Sequence, residues 1–69
     1  MKKFIELRLG IRKDCIWQPA NKILISIDSI LRVVDNGENQ GTTIVTTSGS
    51  FVCFESYLTV FSFITLNNK

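Results

Sequence analysis

Sixty-nine residues with eight Lys/Arg, six Asp/Glu, a 45% hydrophobic share and no histidine leave room for one small domain, residues 1–69. A hydrophobic share near one half with a net charge of +2 excludes a disordered chain. The folding ledger lies near zero: about 100 kcal/mol from burying roughly 60% of the open chain's surface, against about the same for ordering it at ~1.5 kcal/mol per residue, so such a chain normally needs staples, a metal or copies of itself.

Met1-Lys2-Lys3 starts like a signal peptide, but Glu6 and Arg8 interrupt the stretch that would have to be apolar, so the chain is expected to be unexported and cytoplasmic. Ile5, Leu7, Leu9 and Ile11 alternate with Phe4, Glu6, Arg8 and Gly10, the period of a strand with one face on a core. Residues 12–21 have no usable period and read as a loop with Ile16 or Trp17 tucked back. Residues 22–27 alternate again as a second strand. Asp28 and Ser29 bend the backbone, and residues 30–35 form a third, β-branched strand. The polar, glycine-bracketed residues 36–41 are the clearest loop. Residues 42–47 and 51–54 pair as a hairpin across a Ser48-Gly49 turn.

After Phe54 the period becomes 3.6. Tyr57, Val60, Phe61 and Ile64 share an arc about 100° wide, and Glu55 and Ser56 suit the start of the helix by charge and capping. Phe63 and Leu66 fall among Ser and Thr residues outside that arc, with Leu58 flanking it. These three are the expected interface residues, covered either by the first long loop or by a second copy. The longest apolar-rich run, residues 51–66, is interrupted and too short to span a bilayer. The predicted class is therefore α+β: a small antiparallel β-meander of about five strands with one C-terminal helix, oligomeric.

Thr42-Thr43-Ile44-Val45-Thr46-Thr47-Ser48-Gly49, then Phe51-Val52 and Glu55-Ser56 opening a helix that closes on Ile64, resembles the tiny bacterial flagellar and swarming motility proteins. Lys22-Ile23-Leu24-Ile25 with Ile30 and Val33-Val34 is similar to their preceding strand pair. Short chains of gut bacteria and their phages look comparable. The likeness covers residues 22–64 and implies the fold. Two departures concern role: residues 12–21 insert a longer basic-aromatic loop, and the terminal helix carries apolar residues where the resemblance implies charges.

Enzymatic chemistry is not expected. There is no histidine to serve as general base, the carboxylates are scattered, and Cys15 lacks an adjacent base. No cofactor is implied, since no glycine loop matches phosphate or dinucleotide spacing. No metal site is implied either. Asp35-Asn36-Gly37-Glu38-Asn39 lacks calcium-loop spacing, and Cys15 and Cys53, without zinc or redox spacing, read as two small buried thiols.

What remains is a basic-aromatic set: Arg12, Lys13 and Trp17 on one loop, with Arg8 and Arg32 on strand faces away from the core. Guanidinium groups pair with phosphate and an indole stacks on a nucleobase. The other reading makes Trp17 an anchor of its loop on the core and the arginines merely solvated. A net charge of +2 is too weak for extended nucleic acid. Two functions follow. In the first, a non-catalytic homo-oligomeric binding module, a homodimer or higher, captures a nucleotide-like ligand, as small phage proteins sequester nucleotide immune signals. In the second, the chain is a protein-interaction accessory, of motility type or an inhibitor docking on a host protein.

Overall fold

In the computed structural model, residues 3–67 are described; Met1 and Lys2, where the basic start was read, lie outside them. The architecture is α+β, as the pattern predicts. Strands β1 (Phe4–Lys13), β2 (Ile16–Ser26), β3 (Ile30–Asp35), β4 (Thr42–Thr46) and β5 (Gly49–Cys53) form an antiparallel meander, and one helix, α1 (Tyr57–Asn67), follows.

The strand order β2-β1-β5-β4-β3 puts β2 and β3 at opposite edges, although only the 3-10 turn Ile27–Ser29 joins them. Four residue steps reach at most about 14 Å. Five flat strands at ~4.8 Å spacing would hold the edges about 19 Å apart. The sheet therefore curls toward an open barrel. Its closed corner is fastened by the Ile27 amide donating to Lys3 O and the Thr47 amide donating to Ser29 O, each at 3.0 Å. Ile5, Leu7, Ile44 and Cys53 line the concave side with Ile27, and Val60 of α1 completes this buried cluster.

The expected loop at residues 12–21 is instead a β-hairpin arm. β1 runs on to Lys13 and β2 starts at Ile16, joined by Asp14 and Cys15 with φ of 54° and 65°. Two left-handed residues make the tight turn whose twist matches paired strands, a role usually marked by Asn-Gly. Two local features hide the arm in the sequence. The register slips between Arg8↔Lys22 and Gly10↔Pro19, so one extra residue on β2 reverses the inside-outside phase. Pro19, which normally argues against a strand, sits on an edge strand. Cys15, read as buried, is exposed at this turn, and Cys53 is buried as expected.

Two smaller shifts follow from tertiary placement. The β4–β5 turn falls on residues 47–48, one position earlier than expected, because Thr46 pairs with Gly49 and its hydroxyl donates to Gly49 O at 2.8 Å. On α1 the core arc is rotated by about 50° from the expected one. Val60 is fully buried, and Tyr57, Phe63 and Ile64 are half-buried, Phe63 and Ile64 packing on the core. Phe63 thus leaves the wet face to which it was assigned. Phe61, assigned to the core arc, is 54% exposed. Glu55 stands before the helix, and Ser56 caps it by accepting the Thr59 amide at 3.3 Å.

Candidate functional site

The site is built where β1, the end of β5 and the β3–β4 loop converge. β1 and β5 share one register pair, Leu9↔Cys53. Beyond it the Phe54 amide donates to Arg8 O at 2.7 Å. Glu55 then substitutes for a strand. Its carboxylate accepts the Arg8 amide at 3.0 Å and Arg8 Nε at 2.8 Å, while Thr42 Oγ1 donates to its backbone carbonyl at 2.9 Å. Glu55 is only 9% exposed, which its full set of partners makes tolerable. The Cys53 thiol beneath it is pushed above its ordinary pKa of 9.0, chiefly by burial and then by the Glu55 charge.

Above this junction lies a ladder of two stacked rings with a guanidinium at each end. The Arg8 guanidinium sits over the Phe54 ring at 4.9 Å, and Phe54 stacks on Trp17 with centroids 6.2 Å apart and planes 15° off parallel. Arg12 covers Trp17 at 5.5 Å. Its Nη2 donates to Asn39 O at 3.3 Å and Gln40 Oε1 at 2.9 Å, tying the arm to the β3–β4 loop. Trp17 Nε1 donates to Phe54 O at 3.3 Å. The six-membered edge of the indole packs against two glycines. A Cβ on Gly10 would meet Trp17 Cζ2 at 2.1 Å, and one on Gly41, where φ is +73°, would meet Cys53 O at 2.3 Å and Trp17 Cζ2 at 2.6 Å.

Beside the ladder runs an open groove of about 540 Å³. Arg8, Trp17, Phe54 and Glu55 line it together with Asp35 and Glu38 of the β3–β4 loop region and Tyr57 and Leu58 at the head of α1. Its three carboxylates outnumber its one guanidinium, and Glu55 holds that guanidinium. The walls therefore favour hydrogen-bond donors and cationic groups over bare phosphate.

Of the five sequence-selected ligand residues, Arg8 and Trp17 line this groove. Arg12 lies on the other side of the indole, in a shallower depression with Ile11 and Gln40. Lys13 is exposed next to the turn of the arm. Arg32 lines a separate groove of about 460 Å³ between β3 and α1, with Tyr57, Phe61 and Ile64. Among the three interface candidates, Leu58 and Leu66 are exposed and Phe63 packs on the core. Sequence reasoning missed Phe54, read as an ordinary strand residue, and Glu55, read as a helix-start charge. It also set the Asp35 and Glu38 segment aside as a turn. No local signal marks Arg8 and Glu55 as partners, since 47 positions separate them.

Among the described residues, no group of three or more His, Cys, Asp or Glu could hold a metal, and no helix is long and apolar enough to cross a membrane. Comparison with family models, curated proteins and solved structures returns no match. Function is therefore read from the groove.

Proposed function

We propose that this chain is a non-catalytic binding module that captures a planar, amine-bearing ring, the nucleobase of a nucleotide-type ligand, in the groove between the Trp17–Phe54 ladder and the β3–β4 loop. The observation that carries the reading is the juxtaposition of stacked rings with carboxylates in a groove of about 540 Å³. That size lies within the range of small-molecule sites, roughly 300–1,000 Å³. Phe54 and Trp17 already face each other, with Arg8 over one ring and Arg12 over the other. The base therefore packs on the ring surface left open along the groove wall, where stacking gives at most ~1–3 kcal/mol per base. The exposed carboxylates of Asp35 and Glu38 accept from an exocyclic amine, and any phosphate points outward to solvent. Capture without chemistry suits sequestration of a nucleotide-type signal.

Trp17 is the only tryptophan, so its fluorescence reports the site directly. Titration with adenosine, cytidine, uridine and their monophosphates is expected to quench it. Amine-bearing bases should bind tighter than uridine, and nucleosides at least as tightly as nucleotides. Glu38→Gln, on an exposed loop, is expected to weaken binding several-fold without changing stability. Absence of quenching and of calorimetric heat with every compound at millimolar concentration would overturn the proposal.

A further inference from the structure

Ligand capture leaves the outer face of α1 unexplained. Leu58 is 73% exposed, Leu66 68% and Phe61 54%, and Leu31 of β3, 67% exposed, shares the groove with Phe61. We propose that this face is covered by a second copy of the chain, the two α1 helices crossing antiparallel about a two-fold axis at Ser62.

Three observations select a copy over any other occupant. The first is charge. No Asp, Glu, Lys or Arg occurs anywhere in Tyr57–Asn67, so two positively charged copies meet there without repulsion, and nothing on the helix steers an acidic or basic partner to it. A helix lying on lipid headgroups would carry Lys or Arg along its polar face, and this one has none.

The second is symmetry. Leu58-Thr59-Val60-Phe61-Ser62-Phe63-Ile64-Thr65-Leu66 reads the same in both directions but for the Val60/Ile64 exchange. At 1.5 Å rise per residue, Leu58 and Leu66 stand about 6 Å to either side of Ser62. A two-fold axis there sets each Leu58 on the other copy's Leu66, and a small serine at the crossing lets the backbones approach. Isologous contacts require such self-complementarity.

The third is area. Taking about 200 Å² for a large apolar side chain, the four exposed residues offer roughly 500 Å². A standard interface buries about 800 Å² per partner, of which some 60% is apolar. The chain also exposes 4869 Å², against about 4,400 Å² for a compact monomer of its mass.

Sedimentation velocity from low micromolar to near-millimolar concentration tests this on the full chain. A dimer is expected. Ser62→Glu and Leu58→Lys, both on the exposed face, should each weaken it by about tenfold or more while the circular dichroism spectrum stays unchanged. In a Cys15→Ser background, Ser62→Cys should give a disulfide-linked dimer under mild oxidation, because the axis places the two sulfurs together. A chain that is monomeric throughout overturns the proposal, and binding of that monomer to phosphatidylcholine vesicles would reassign the face to lipid. A dimer indifferent to Ser62→Glu and Leu58→Lys and not cross-linked through Ser62→Cys also overturns it, since assembly would then use another surface, such as the β2 edge. Leu58 also borders the Trp17 groove, whereas Ser62 and Leu66 do not, so the Ser62→Glu and Ser62→Cys arms test dimerisation separately from the nucleobase reading.

Discussion

Replacing Gly10 by alanine separates the anchoring role of Trp17 from every other contribution to stability, because the sign of the effect depends on whether the indole is present. Gly10 lies in extended backbone that any residue adopts, and alanine there gains about 0.5–1 kcal/mol from reduced freedom of the unfolded chain. Its Cβ would stand 2.1 and 2.3 Å from Trp17 Cζ2 and Cη2, so the ring must move by more than 1 Å. Displacement loses the Nε1 bond to Phe54 O, about 1 kcal/mol, and much of the stack on Phe54, about another 1 kcal/mol, with part of the ring's burial.

Gly10→Ala is therefore expected to destabilise the native sequence by about 1–2 kcal/mol and to stabilise the Trp17→Ala background by about 0.5–1 kcal/mol. That amounts to a coupling of about 2 kcal/mol in a double-mutant cycle. Urea unfolding followed by far-ultraviolet circular dichroism, at one fixed protein concentration, measures all four corners. In a domain of this size each kcal/mol also moves the Tm by roughly 4–8 °C. An effect of Gly10→Ala with the same sign and size in both backgrounds would refute the claim that the indole is seated on this glycine.

Two further predictions concern the junction under the groove. Glu55→Gln keeps an acceptor for the Arg8 amide but replaces a charge-assisted bond to Arg8 Nε with a neutral one; with Arg8 43% exposed, the expected loss is about 1–2 kcal/mol in the same unfolding assay. The two thiols should differ sharply toward Ellman's reagent, Cys15 reacting at once and Cys53 only as fast as the fold opens. Because the folded chain holds the Cys53 proton to higher pH than the unfolded chain does, stability should be fully present below the ordinary thiol pKa of 9.0 and fall as pH rises beyond it. Cys53→Ser should flatten that alkaline decline.

Much of the barrel was legible from residue patterns, for an identifiable reason. Where a strand has one face on the core and no irregularity, alternation survives in the sequence, as in Ile5-Glu6-Leu7 and Thr42–Thr46. The polar loop at residues 36–41 and the bend at Asp28–Ser29 were equally visible, because turn geometry is a property of the few residues that make it. The arm was hidden because one extra residue opposite Leu9 inverts the phase, and because its turn uses Asp14-Cys15 in place of glycine.

The helix and the groove depend on contacts that no window of sequence contains. A wheel establishes that Tyr57–Asn67 has a buried side, but which of Phe61 and Phe63 faces inward depends on how the axis lies over the open mouth of the barrel. Arg8 meets Glu55, and Trp17 meets Phe54 and Gly41, only through the pairing of β5 with β1 and the placement of the arm beside it. Local chemistry thus set where the chain extends, turns and coils. The pairing of distant partners, which rests on curling the sheet until Cys53 reaches Leu9, produced the groove and left the outer face of α1 uncovered.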